Sequence, residues 1–338
     1  MRALLADGLG GLRVGEAPEL EPGPGQLAVR VAWAGVCGSD LHALGSASEG
    51  QVLGHEFSGV VAAVGPGVDD FAPGDRVVAV PAIGCGACRA CVCGDPMQCR
   101  QRQVVGFDLS GGFADVVLVG AAWALRVPDV ISLRHAAIAE PLAVGLKIVE
   151  RAPVTVGGRV AVLGGGPIGL AVTWWAATLS LARILVSDPV QERHRRAKDL
   201  GAELVCDPQQ DDLRSVVRAA WGTRPDVVHE CVGRPGTLAT AFDLVAAHGT
   251  VALAGLHDQP ETFSRVPPLL KEVSVAFPNF TTRDGFAGAC RLLEQRGDLA
   301  EVFITHEVPL AEMPAFLPRM QERNAFGKVL VAVGDDLT

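Results

Sequence analysis

Two groups of residues have types and spacings that could do chemistry. The first is Cys37-Gly38-Ser39-Asp40-Leu41-His42, followed shortly by Gly54-His55-Glu56. A thiolate, an imidazole and a carboxylate lie close in the chain, beside glycines that let backbone pass near a ligand. Thiolate and imidazole suit zinc, and a catalytic zinc takes about three protein ligands plus one open position. The second is C-x2-C-x2-C-x7-C through Cys85, Cys88, Cys91 and Cys99, on a loop too polar and glycine-rich to pack by itself. Four thiolates closing a tetrahedron make a structural zinc, whose binding energy becomes folding energy. Cys93 is a fifth candidate able to replace Cys91, and redox cysteines are the competing reading.

A third pattern points to a nucleotide. Arg159-Val160-Ala161-Val162-Leu163 reads as a buried strand, and Gly164-Gly165-Gly166-Pro167-Ile168-Gly169 is a G-x-G-x-x-G turn opening a helix over 170–179. A second strand, 182–188, ends in the acid Asp188. Strand, glycine turn, helix and acid together form a dinucleotide-binding fingerprint, with the pyrophosphate on the helix N-terminus and the acid on a ribose. Gly164, Gly166, Pro167, Ile168, Gly169 and Asp188 are therefore the expected cofactor contacts. Arg193, Arg195 and Arg196 follow Asp188 closely and could instead greet a 2′-phosphate, so NAD is expected over NADP with the arginines as the counter-argument.

The run Gly54-His55-Glu56-Phe57-Ser58-Gly59, with Gly65 and Val68, resembles the zinc signature of the medium-chain alcohol dehydrogenases, particularly their polyol, butanediol and threonine dehydrogenase branch. The resemblance covers nearly the whole chain. It implies a GroES-like β-rich catalytic domain over 1–148 with a structural zinc lobe at about 85–99. A Rossmann domain with a doubly wound parallel sheet would follow over 149–279, and a return segment over 280–338 would complete the catalytic domain. It also implies a catalytic zinc on Cys37, His55 and Glu56, with Glu140 as a fourth ligand or as the holder of the metal's water. Helix-dipole compensation is the plainer reading of Glu140. Gly94 falls where the family's lobe has its glycine, which favours Cys91 over Cys93 as ligand. Ser39 resembles the family's relay hydroxyl, and His42 is either the end of that relay or an exposed loop histidine. Asp40 either fixes the His55 tautomer or caps a helix. The implied activity is zinc-assisted hydride transfer between NAD and a secondary alcohol, a polyol, vicinal diol or aminocyclitol, giving the ketone. Homodimers or homotetramers are the family's expected assemblies. One departure stands out: residues 43–51, on the substrate side in the family, are short, small and free of aromatics.

Other elements must position these groups. Val29-Arg30-Val31 and its neighbours, Val60-Val61-Ala62-Ala63-Val64 and Arg76-Val77-Val78-Ala79-Val80 read as strands hinged at Pro/Gly turns, and so do 304–310 and 327–331 near the end of the chain. Further strands are expected at 226–233, 249–256 and 273–277, with a helix over 286–296 leading back. His229 and His257 read as sheet-edge and loop residues rather than catalysts.

At 338 residues the chain exceeds a single core of about 150, so two domains are expected. A net charge of −9 without a long basic cluster argues against nucleic acid. Residues 160–182 carry no formal charge and would tempt a hydropathy window, but Gly164-Gly165-Gly166-Pro167 interrupts them, so no membrane span is expected. Met1 to Asp7 lack a signal-peptide core, and nine cysteines then point to metal and free thiols in the cytoplasm. Two competing functions remain open at this point: a zinc-free NADPH quinone or enoyl reductase on the same fold, and a zinc-stabilised binding protein without catalysis.

Overall fold

The computed structural model describes residues 1–180, 182–322 and 326–334. Residues 335–338 of the expected return segment lie outside the described residues. The chain divides into two compact units, one of Met1–Ala143 with the segment from Thr281 onward, the other Val144–Phe280.

The first unit is built on a seven-stranded sheet in the order Ile304–Pro309, Lys328–Ala332, Gln26–Gly35, Glu56–Val64, Arg76–Ala79, Ala124–Arg126, with Val116–Gly120 also pairing Gln26–Gly35. All neighbours are antiparallel except the first two strands, which run parallel. Its core gathers Leu4, Leu27, Val29, Val31, Phe57, Val61, Phe113, Val117, Val329 and Val331, all buried. β-branched side chains dominate this set because they pack well on a pleated surface. The return segment is thus part of the first sheet: Leu330 pairs with Gly35 and Val331 with Ala34.

The second unit carries a six-stranded parallel sheet in the order Leu204–Cys206, Arg183–Ser187, Arg159–Leu163, Val227–Glu230, Thr250–Leu253, Ser274–Ala276. Val160, Ala161, Val162, Ile184, Leu185 and Val228 are wholly buried, as strands covered on both faces must be. The helix Pro167–Ser180 buries Leu170, Ala171, Val172 and Trp174 on several sides, which explains the uncharged run. Among the described residues no helix is long and apolar enough to cross a membrane.

Two details differ from the sequence reading. The unit boundary falls after Ala143, five residues before the expected 148/149 boundary and inside the same helix, Ala139–Arg151. The helix's later turns pack on the second unit, where a Cβ on Gly145 would meet that of Ala171 at 2.7 Å. His229 is not at a sheet edge: its strand lies between Arg159–Leu163 and Thr250–Leu253. It is buried, and that burial pushes its pKa down to about 4, which keeps the ring neutral.

Candidate active site

The helix Gly38–Leu44 and the start of the strand Glu56–Val64 bring the first group together. Ligand atoms of Cys37, His55 and Glu56 lie within 4.8 Å of one another. Asp40 organises them. Its Oδ2 accepts from the Cys37 backbone N–H at 2.9 Å, closing the first turn of the helix, and its Oδ1 accepts from Gly54 N–H at 3.3 Å. The same Oδ1 lies 3.2 Å from His55 Nδ1. Both readings of Asp40 hold at once. A carboxylate only accepts, so Nδ1 is the donor and Nε2 is the nitrogen left for a metal. Burial opposes a charged His55, but the Asp40 carboxylate and Cys37 side chain outweigh it and hold the pKa well above the usual imidazole value.

Gly54 has φ +95°, and a Cβ there would strike Phe113 at 2.8 Å, so only glycine delivers His55 and Glu56 on this path. The turn carrying Phe107 packs on the same glycine. Gly112 N–H donates to Gly54 O at 2.7 Å, and Gln51 Nε2 donates to Phe107 O at 3.2 Å. The Phe107 ring lies 5.5 Å from that of His55 and stays 39% exposed. The short 43–51 loop therefore pins an aromatic beside the ligand group. A cavity of about 320 Å³ is lined in part by Gln51, Val52, Phe107 and Leu109.

Glu56 is wholly buried, and its partner went unnoticed in the sequence. Lys328, 1% exposed, donates from Nζ to Glu56 Oε1 at 2.7 Å and to Val36 O at 3.0 Å. Nζ is also 2.7 Å from Oε2, yet Oε2 is buried with no hydrogen bond. Burial works against the Lys328 charge, but the Glu56 carboxylate more than offsets it and raises the pKa. Glu140 is also buried and lies outside the close group of three. Burial and the Glu56 carboxylate push its pKa up to about 7, against the pull of His55 and Lys328. Ser39 is half-buried in the first turn of the helix, and His42 is exposed on its last turn.

The four cysteines Cys85, Cys88, Cys91 and Cys99 also converge, with their sulfurs within 4.8 Å of one another. Cys91 is buried and Cys93 exposed outside the group. Backbone N–H groups of Cys85 and Gln101 point at Cys99 Sγ at 3.4 Å, and Cys88 N–H points at Cys85 Sγ at the same distance. Donation from Ala87 and Cys88 brings the Cys85 thiol down to about 6, whereas burial pushes Cys91 up to about 12. Four thiols crowded together with amides aimed at their sulfurs are a poor resting arrangement and a good cation site.

In the second unit, Gly164 has φ +95° and a Cβ on Gly169 would lie 1.8 Å from Gly164 O, so turn and helix close tightly. A Cβ on Gly166 would meet nothing within 4 Å, which leaves open backbone at the helix N-terminus. Asp188 is 2% exposed and already engaged. Its Oδ2 accepts from Gly165 N–H at 2.8 Å and Arg193 Nη1 at 3.0 Å, and its Oδ1 from Val190 N–H at 2.9 Å.

Comparison with known proteins places these sites in context. The family described as Alcohol dehydrogenase GroES-like domain matches residues 23–129, and the family Zinc-binding dehydrogenase matches 167–295. Sorbitol dehydrogenase of Halalkalibacterium halodurans is 33% identical over 325 residues, covering 92% of this chain and 94% of that protein. The chain belongs to the zinc-containing medium-chain alcohol dehydrogenases. A zinc-binding dehydrogenase of Sinorhizobium meliloti 1021, solved bound to NADP, shares this dehydrogenase's fold with a TM-score of 0.87 at 32% identity, covering 98% of each chain. An alcohol dehydrogenase of Escherichia coli CFT073, solved with NADH, superposes with a TM-score of 0.90 at 28% identity, covering 98% of this chain and 99% of the other. The dehydrogenase is thus an oxidoreductase of a zinc-binding, nicotinamide-using family.

Both ligand groups fit zinc. The first offers a soft thiolate, an imidazole nitrogen and a buried carboxylate. The second offers four sulfurs and no further acceptor, the donor set of a closed site.

Proposed function

We propose that this dehydrogenase oxidises a secondary alcohol carrying a neighbouring hydroxyl or amine, a polyol, vicinal diol or aminocyclitol, to the ketone, with NAD as hydride acceptor. One observation carries the substrate class: a second buried carboxylate stands beside the ligand group. Glu56 belongs to the group of three, and Glu140 is buried within electrostatic reach of Glu56 and His55, where a second thiolate would have made the pocket softer and drier. A carboxylate oxygen can accept a hydrogen bond from a second polar group on the substrate. A plain aliphatic alcohol would leave that acceptor buried and unpaired, at a cost of about 1–3 kcal/mol. The likeness to a sorbitol dehydrogenase supports the same class.

In this reading Cys37, His55 and Glu56 hold the catalytic zinc, with Glu140 a fourth ligand or the holder of its water, and Cys85, Cys88, Cys91 and Cys99 hold a second, structural zinc. The catalytic metal supplies Lewis acidity toward the alcohol oxygen, and NAD supplies the hydride acceptor. The residues of the chain do the rest. Asp40 orients the His55 ring. The Ser39 hydroxyl takes the alcohol proton, and His42, one helical turn further on, passes it toward water. Gly164, Gly166, Pro167, Ile168 and Gly169 bind the pyrophosphate, while Asp188 and Arg193 meet the adenosine ribose.

The protein works in the cytoplasm, where its free thiols stay reduced. It assembles as a homodimer or homotetramer. Ser274–Ala276 is an end strand of its sheet, and Val275 on it, Phe277 just after it and Leu269 and Leu270 before it are exposed. Unpaired edges with apolar side chains call for a partner. A zinc-free reductase has no use for either ligand group.

The test compares a simple secondary alcohol with a vicinal diol of equal carbon number by kcat/KM. The diol is expected to be preferred. A higher value for the simple alcohol means the carboxylates do not read the neighbouring group, and the polyol assignment falls.

A further inference from the structure

Lys328, 1% exposed, is a buried charged group of the first unit outside the ligand groups. It stands alone among apolar neighbours in the strand Lys328–Ala332, which belongs to the return segment. Burying an ammonium is costly unless it is paired. Its ammonium reaches the ligand-bearing stretches: both oxygens of Glu56 at 2.7 Å, and the carbonyl of Val36, the residue before Cys37, at 3.0 Å. The backbone fixes this arrangement, because Val36 N–H donates to Val329 O at 3.0 Å and Gly35 pairs with Leu330. Gly35 itself keeps space for the second carboxylate oxygen, since a Cβ there would lie 2.2 Å from Glu56 Oε2.

The Lys328 ammonium therefore lies against both oxygens of Glu56 and hydrogen-bonds Oε1. We propose that Lys328 is a positioning residue that competes with the cation for Glu56 and so weakens the hold of the site on it. This rests on the reading of Cys37, His55 and Glu56 as a metal site. The physical argument has two parts. A carboxylate held by an ammonium has less charge and fewer lone pairs to offer a metal, which keeps the coordination number low and a position open for substrate. A fixed positive charge beside the site also repels a divalent cation, so the metal is held less tightly than by the same ligands without it.

These parts give the proposal a sign that a packing role does not share. A lysine that merely filled space would, on removal, loosen the site and speed loss of the metal. A lysine that tempers Glu56 would, on removal, free its carboxylate for the cation and tighten the site.

The experiment uses full-length protein loaded with cobalt(II), with wild type, K328M, K328R and C37S compared. Two readings are taken: the visible absorption band of cobalt and the rate of cobalt loss to a chelator. K328M is expected to show a weaker band, as higher coordination gives, and loss slowed about tenfold or more. K328R, which keeps the charge, is expected to retain the wild-type band. A K328M protein with the wild-type band and unchanged or faster loss overturns the role of Lys328. A wild-type protein that takes up no more cobalt than C37S overturns the metal reading itself, which is a separate failure. Where K328M does not fold, K328M/E56Q, which removes both charges, is expected to fold again. Failure of that double variant shows that Lys328 is needed for something other than Glu56, and the proposal is wrong.

Discussion

Asp40 Oδ1 lies 3.2 Å from His55 Nδ1, and the same carboxylate closes the helix that begins at Cys37. One buried side chain thus sets the tautomer of one ligand and the backbone of another. D40N keeps an oxygen for the Cys37 amide but loses the carboxylate that faces the imidazole. It is expected to lower metal retention or kcat/KM by about 10–100-fold while changing stability little. D40A loses the turn as well and is expected to cost a further ~1 kcal/mol of stability. Metal analysis and denaturant unfolding of both variants check this, and equal stability loss in the two would show that the His55 contact is incidental.

The two cysteine groups are expected to fail differently. C37S should abolish turnover and leave the fold intact, because an open site supplies chemistry. C99S should destabilise the protein by about 4 kcal/mol or more, because a closed site supplies folding energy. C93S should do neither, since Cys93 is exposed outside the four-sulfur group. Elemental analysis with thermal unfolding of the three variants decides the matter, and two metals per chain are expected in the parent protein.

Asp188 is expected to favour NAD over NADP by about tenfold or more in kcat/KM, through repulsion of a 2′-phosphate. D188N keeps an acceptor for the Gly165 amide and so isolates the charge. The preference should shrink in that variant, with Arg193 no longer facing the Asp188 carboxylate. A parent enzyme that prefers NADP would show that Arg193 governs the site.

Glu140 gives a pH dependence with a definite sign. Its pKa is pushed up to about 7 in the fold, from an ordinary value of 4.5. The folded state therefore holds a proton that the unfolded chain has already lost, and stability falls as pH rises between these values. Chelator-treated protein is expected to lose roughly 3 kcal/mol across this window from this group. E140Q should remove that slope. An unchanged slope in urea titrations from pH 4 to 8 would mean that Glu140 meets water.

Much of this arrangement could be read from the chain. The four-sulfur group could be read because its members share one short loop, so spacing alone limits where they can point. Cys91 lies in the short helix Arg89–Val92 and Cys93 caps its end, and burial separates them. The first sheet could be read, return strands included, because its runs of apolar and β-branched residues are bounded by Pro/Gly turns. What could not be read were contacts across long separations. Lys328 and Glu56 are 272 positions apart, and a lysine in an apolar strand carries no sign of which carboxylate it meets. The only hint was the lysine itself, set among Val329, Leu330 and Val331. His229 was misplaced for a related reason. A histidine in a strand looks like an edge residue until strand order is known, and strand order is a property of the whole sheet. Asp188 was legible as an acid at a strand end, but not its engagement by Gly165, Val190 and Arg193.

The central claim is that Cys37, His55 and Glu56 hold a zinc that hydride transfer requires. The most direct measurement strips the enzyme of metal, adds back zinc in steps, and follows NADH formation from a vicinal diol. Activity should be absent at the start, rise with zinc and saturate, and C37S should stay inactive throughout. Full turnover by the stripped enzyme, or recovery of C37S to the parent rate, would contradict it.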